Sequence, residues 1–321
     1  MTAPSRQVWA GLAVIYFVWG STYVAIKIAV DSLPPLLTAG TRFLVAGAIL
    51  AAVLAARGKS LRVTRRELRG CALAGLLLLA LGVGVVHVAE TRIDSSIAAM
   101  IAGTVPLQII LMRLVAGESV ARATRLSTLA GLAGLVLVVA PGLGSGSTAL
   151  GLAISISAAF SWALGSFLSR GLSLPRDPAV AAVWEMAAGG IFLTVAALAL
   201  GEWRDLGGGA LNAGSVAAWA YLVVAGSIVG FTVYGWLLRV APISLVVTHQ
   251  YVNPLVAIAL GVILLGERPS PWSIAGALIV VVAVYVAIRA ETPATPNEPR
   301  QAPGATTLRP SRDAAAARRA S

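Results

Sequence analysis

Charge is scarce in this chain: 12% of its 321 residues are Asp, Glu, Lys or Arg, against roughly 25% in an ordinary soluble domain. With 58% hydrophobic residues, it cannot clothe a water-facing surface. Cysteine occurs once, at Cys71, which excludes an intrachain disulfide and a Cys-paired zinc site. The two histidines, His87 and His249, stand alone and offer no metal spacing. There is no P-loop and no nucleophile elbow with triad partners. Gly82-Val83-Gly84 resembles half of a dinucleotide motif, but no strand precedes it, and it reads as close helix packing. The sequence therefore implies no enzyme, no metal and no cofactor.

What it has is apolar length. A helix crossing the hydrocarbon core needs about 20 mostly apolar residues, and such stretches follow one another from Trp9 to Ile288. Charges and Pro/Gly punctuation divide them into ten: 9–30, 36–56, 70–89, 95–115, 126–140, 149–168, 179–200, 216–238, 243–265 and 272–288. The fifth is the shortest. The expected class is an all-α integral membrane protein with ten transmembrane helices and the lipid bilayer as its solvent. The first stretch follows only Arg6, outruns the roughly 7–15 apolar residues of a signal peptide and lacks a small-residue cleavage site after it, so it reads as a retained span. Residues 290–321, rich in Pro, Ala, Thr and Arg, read as a disordered tail.

A net charge of +11 suggests nucleic acid when taken alone. The basic residues, however, lie in loops and the tail, as the positive-inside rule produces, so no nucleic-acid partner is expected. One side would carry Arg6, the cluster Arg57, Lys59, Arg62, Arg65, Arg66 and Arg69, then Arg113, Arg122, Arg125, Arg170, Arg176, Arg239 and the tail. The other receives only Lys27, Arg92, Arg204 and Arg268. Both termini, residues 1–8 and 290–321, are expected in the cytoplasm, which requires an even number of spans.

The chain also repeats itself. Trp19 and Trp162 lie 143 residues apart, and the same offset pairs Pro35 with Pro178, Arg42 with Glu185 and Gly47 with Gly190. Pro106 followed by Gly117-Glu118 is matched by Pro254 followed by Gly266-Glu267, and Ala130-Gly131 by Ala275-Gly276. The expectation is two five-span units, 9–141 and 148–289. Five is odd, so the second unit enters the membrane from the opposite side. Inverted repeats of this kind suit a carrier whose halves rock about a site near the midplane.

Trp19-Gly20-Ser21-Thr22, Ser161-Trp162-Ala163 and the Pro-to-Gly-Glu segments resemble the EamA family of the drug/metabolite transporter (DMT) superfamily, over residues 9–289. Within it, Trp19 to Tyr23, Pro34-Pro35, Ala39-Gly40 with Arg42-Phe43, Val88-Ala89-Glu90 and Tyr251-Val252-Asn253-Pro254 are most similar to the YedA-type drug/metabolite exporters. The resemblance implies two inverted EamA repeats forming a ten-helix basket in a bacterial inner (plasma) membrane. Its cavity would be lined by helices 1, 3, 4, 6, 8 and 9. It implies secondary transport of a small-molecule substrate, a metabolite or drug-like compound, by alternating access and in the direction of efflux. The alternatives are a nutrient uptake permease of the same fold or, in other classes, a passive channel or a membrane enzyme.

Ionisable groups inside a span are expensive and mark functional sites by default. Arg42 and Glu185 each lie seven residues beyond a proline, roughly 10 Å deep at 1.5 Å per residue, and enter from opposite faces. They make structural or gating ion pairs, Arg42 with Glu90 or Asp94 and Glu185 with Arg113, Arg170 or Arg239, or else they touch substrate. If unpaired in the cavity, Glu185 makes the proton a candidate coupling ion. His249 and Asn253 share a helix face, with Gln250 and Tyr251 turned elsewhere, and either line the cavity or bond a neighbouring helix. His87 with Glu90 poses the same choice. Trp19 and Trp162, each beside small residues, are cavity aromatics or packing anchors. Ser21, Thr22 and Tyr234 complete the substrate-binding or gating candidates. Pro106 and Pro254 interrupt the backbone ladder inside spans 4 and 9 and are candidate hinges. Trp9, Trp203 and Trp272 sit at span ends as interface anchors. Glu118 and Glu267 are expected to be solvated or paired with Arg122 and Arg268.

Overall fold

Long apolar runs punctuated by proline and glycine leave the backbone one way to satisfy its own hydrogen bonds in hydrocarbon, the helix. The computed structural model bears this out, and it describes residues 6–143, 146–207, 212–241, 246 and 248–291. Among these there are helices and no strands. The long helices are α1 (Arg6–Ala29), α2 (Pro35–Ala56), α3 (Arg65–Glu90), α4 (Ser95–Val115), α5 (Arg122–Val139), α6 (Thr148–Gly171), α7 (Pro178–Leu200) and α8 (Ala213–Leu237). All eight are long and apolar enough to cross a membrane. They are followed by α9 (His249–Leu265) and α10 (Pro271–Glu291), which contain the shorter apolar stretches Val252–Leu265 and Pro271–Ala287.

Several boundaries differ from the expected ones. The fifth helix is longer than its apolar run because Arg122 and Arg125 form its first turn. The last helix continues to Glu291, so the first two residues of the expected tail are helical, as are residues 6–8 of the expected N-terminal segment. Residues 1–5, 242–245, 247 and 292–321, on which parts of the terminal and ninth-span expectations fall, lie outside the described residues.

Prolines start α2, α7 and α10, where the missing N–H costs nothing. α2 and α7 run antiparallel. A Cβ on Gly190 would lie 3.0 Å from the Gly40 carbonyl oxygen, and one on Gly47 3.2 Å from Met186 Cβ. The ends of this pair are tied by Lys59 bonded to Asp177 and by the Glu202 carboxylate, which accepts the Leu37 N–H at 2.9 Å. The Lys59 ammonium holds the Asp177 carboxyl below the usual aspartate range. α5 and α10 also run antiparallel and touch backbone to backbone, a Cβ on Gly134 falling 2.9 Å from the Gly276 carbonyl oxygen. The remaining contacts come in matched sets: α1 packs on α8 and α9, as α6 packs on α3 and α4.

Three helices are irregular. Within α3, Gly75–Gly84 is wound as a π-helix, and within α8 so is Leu222–Val229. α4 breaks into Ser95–Ala102 and Val105–Val115, with Pro106 in the first turn of its second part.

The loop glutamates matched by the repeat behave differently. Glu118 pairs with Arg113 rather than Arg122, at 2.7 Å on the surface. Glu267 is buried and, among the described residues, pairs with no arginine; it accepts the Ser95 and Ser96 N–H groups at 2.7 and 3.0 Å and the Ser95 hydroxyl at 2.6 Å. It holds the start of α4 to the loop between α9 and α10. Replacing Glu267 by Ala orphans two buried N–H donors and should cost about 2–3 kcal/mol. Glu118→Ala should cost under about 1 kcal/mol. Thermal unfolding of the purified protein in detergent checks the order, and equal losses would show that the Glu267 cap carries no special weight.

Candidate functional site

Seven of these helices, α1, α2, α3, α4, α6, α8 and α9, leave between them a cavity of about 120 Å³. A water needs roughly 10–15 Å³ of such space, so there is room for several waters or a small solute. The walls are mostly apolar. Polar or aromatic chemistry comes from Trp19, Arg42, Trp162, His249 and Asn253, with Thr22, Tyr23, Phe43, Ser155 and Phe231 beside them. The seventh helix is an addition to the expected six: α2 brings Arg42 and Phe43 to the wall.

Trp19 is held on several sides. Its Nε1 donates to the Gly226 carbonyl at 3.2 Å, inside the π segment of α8. Its ring meets Phe231 at 5.6 Å, Tyr234 at 5.0 Å and His249 at 5.1 Å between centroids. A side chain at Gly230 would run into the indole nitrogen, so glycine there is a condition of the contact. Trp162 repeats the arrangement in the other half. It covers Gly82 in the π segment of α3, where a Cβ would lie 3.1 Å from its ring, and the adjacent Ser161 hydroxyl donates to the Leu77 carbonyl at 2.9 Å. Each tryptophan therefore sits on a glycine of the opposite half's irregular helix. Among the described residues the Trp162 indole N–H makes no hydrogen bond of its own.

Arg42 departs from the expected ion pair. Its Nε donates to the Ser227 hydroxyl at 3.0 Å, its guanidinium carbon lies 5.1 Å from the Phe43 ring centroid, and Nη1 has no acceptor. Neither Glu90 nor Asp94 pairs with it. Among the described residues the only ion pairs are Lys59 with Asp177 and Arg113 with Glu118, both at helix ends.

His249 and Asn253 both reach the cavity. The histidine Nδ1 donates to the Val246 carbonyl at 2.9 Å, which fixes the ring, and Asn253 Oδ1 has no partner. The side chains of Gln250 and Tyr251 lie outside the described residues. Tyr234 stands behind this wall, 5.6 Å from His249 between ring centroids. Thr22 lines the cavity but gives its hydroxyl to the Trp19 carbonyl at 2.6 Å. Ser21 faces away, bonded to the Tyr221 hydroxyl at 2.6 Å.

Besides Ser21 and Tyr234, three more sequence candidates lie off the cavity. His87 is fully buried, with Nδ1 on the Val83 carbonyl at 3.0 Å. Glu90 is fully buried with neither carboxylate oxygen hydrogen-bonded, while Lys27 donates to its main-chain carbonyl at 2.6 Å. Glu185 has no ion-pair partner among the described residues: Arg113 is on Glu118, Arg239 donates to the Gly235 carbonyl at 3.2 Å, and Arg170 lies over Phe167. Just beyond the helix end, partial burial and then Glu267 raise the Asp94 carboxyl above its usual range, with Lys27 opposing. Both prolines gather at the interruption of α4: Pro106 opens its second part, and the Pro254 ring would lie 3.0 Å from a Cβ on Gly103. Phe43, Phe231 and Tyr23 also line the cavity but were not site candidates, because single aromatics inside apolar runs do not mark a site.

A family model for EamA-like transporters matches residues 8–140 and again 149–289. The chain belongs to the EamA-like transporter family. This EamA-like transporter is 36% identical over 291 residues to the inner membrane transporter YedA of Escherichia coli (strain K12), covering 90% of this chain and 93% of that one. It is 26% identical to a probable amino-acid metabolite efflux pump of the same bacterium, over 85% of this chain and 91% of the relative. A WAT1-related chloroplastic protein of Arabidopsis thaliana is also 26% identical, over 87% and 68%. A crystal structure at 21% identity superposes on 89% of this chain and 98% of its own with a TM-score of 0.61, which supports the fold.

The two tryptophans differ in one hydrogen bond, and that is measurable. Trp19→Phe should lower stability by about 1 kcal/mol more than Trp162→Phe, the worth of the indole bond to Gly226. Paired unfolding curves in detergent decide it, and equal midpoints would show that the bond contributes nothing.

Proposed function

We propose that this chain is a secondary carrier that moves a small metabolite or drug-like compound across a bacterial plasma membrane by alternating access, in the direction of efflux. The carrying observation is the cavity lined by Trp19 and Trp162, the first bonded to Gly226 and the second packed on Gly82, each a π-helical glycine of the other half. π turns occur mostly at functional sites, and two of them in exchange-related positions suit a site opened by either half in turn. The antiparallel course of α2 against α7 and of α5 against α10 supports an inverted repeat of two five-span units, residues 9–141 and 148–289. Ten spans with both termini cytoplasmic follow from that parity and from the loop charge. Efflux is favoured by the relative named as an efflux pump. On this reading the chain is no enzyme, binds no nucleic acid and needs no cofactor; its partners are the substrate and the bilayer, with the proton as a candidate coupling ion.

The test is flux in proteoliposomes holding the purified protein, screening amino acids, nucleobases, organic anions and quaternary amines with and without a pH gradient. The carrier reading expects saturable movement of one class, accelerated by substrate on the opposite side. An unsaturable leak would favour a channel. Folded protein that moves nothing on the panel would count against transport of these classes.

A further inference from the structure

We infer that the cavity takes a small organic anion, a carboxylate on a flat apolar body, with Arg42 as its charge partner; this deepens the carrier reading and rests on it. Arg42 lines the cavity at 3% exposure. A guanidinium keeps its charge under physiological conditions, and a buried charge is tolerated where something pairs with it. Here nothing in the described protein does. The Ser227 hydroxyl and the Phe43 ring are neutral neighbours, Nη1 is without an acceptor, and the buried carboxylate of Glu90 and the half-buried one of Glu185 are not on the cavity wall.

The other donors of the wall are neutral: the Trp162 indole, the Tyr23 and Ser155 hydroxyls and the Asn253 amide carry no charge, and three more are already committed. Trp19 Nε1, the Thr22 hydroxyl and His249 Nδ1 each bond a main-chain carbonyl. A ligand therefore meets one cationic donor, Arg42, among neutral ones. Carboxylates are the anions a guanidinium fork fits best among small organic solutes. The rest of the wall asks for an apolar, ring-like body, since it is built from alanines, valines and the two indoles. An indole face attracts a cation at contact, but the full charge of Arg42 repels one throughout the cavity. The unpartnered Asn253 Oδ1 adds a place for a ligand N–H or O–H.

The test uses the purified full-length chain and three probes that share a ring and differ in charge: phenylacetate, phenylacetamide and phenethylamine. Phenylacetate should raise the unfolding midpoint in a saturable way, and the amide and amine should not. Arg42→Gln should weaken phenylacetate by about tenfold or more, the loss expected for a hydrogen bond to a charged group. Arg42→Lys should keep part of the binding. Because Arg42→Gln removes an unpaired buried charge, its own midpoint without ligand should equal or exceed that of the unaltered protein. The inference is overturned if the amine or amide binds as well as the acid, if none of the three binds, or if Arg42→Gln binds phenylacetate unchanged. Should Arg42→Gln fail to fold, the probe series on the unaltered chain and on Arg42→Lys still decides. Saturable flux without anion preference would remove the inference and leave the carrier. Arg42-dependent binding without flux would remove the carrier and leave the anion site.

Discussion

Helices in lipid gain nothing from hiding apolar side chains from one another, because the acyl chains are as apolar as leucine. Association rests on close packing, and close packing rests on small residues. That constraint is visible where Gly134 meets Gly276 and where Gly40 meets Gly190, each glycine lying against the other's main-chain carbonyl. These two seams, α5 with α10 and α2 with α7, join one half of the chain to the other. With the halves held at those seams, α1, α3, α6 and α8 are free to enclose a space rather than fill it. The broad exposed apolar faces, such as Leu126, Leu129 and Val136 on α5, are the surfaces that lipid would cover.

Inside that space, the charge of the wall outweighs its aromatic character. Two unit charges about 6 Å apart interact by roughly 3 kcal/mol at an effective dielectric of about 20, whereas a ring attracts a cation by about 0.5–2 kcal/mol. An aromatic-lined cavity with a neutral wall would suit organic cations. The same cavity with Arg42 in it does not, and one side chain sets the sign of what can enter.

Much of the fold was legible in the sequence because its cause is local. Proline before α2 and α7, charge at the span ends and apolar length between them are properties of short stretches, and the helices follow them closely. The repeat was legible through Trp19 and Trp162, whose matched surroundings reappear in space. The pairing of charges was not legible. Arg42 stood within plausible reach of Glu90 and Asp94, yet it bonds Ser227, a residue 185 positions away with no distinguishing pattern. Glu118 and Glu267 each follow a glycine at matched places in the repeat, yet one pairs with Arg113 on the surface while the other caps α4, because the difference lies in which helix start faces each loop. Glu185, expected near Arg113, Arg170 or Arg239, pairs with none of them. Depth in a helix can be read from numbering, but the neighbour across a groove cannot.

The π segments of α3 and α8 could not be foreseen either, since their glycines also suit an ordinary packed helix. Their winding has a consequence for how the chain tolerates change in length. A π turn is equivalent to one residue inserted into an α-helix, with the flanking turns left in place. Elsewhere in a span, losing a residue would swing everything beyond it by about 100° and present lipid-facing side chains to the interior. Between residues 75 and 84, or 222 and 229, the same loss would let the backbone settle into the regular 3.6-residue turn with both ends of the rod where they were. These two stretches are the slack in an otherwise fixed register, and single-residue deletions that survive in this chain should collect there.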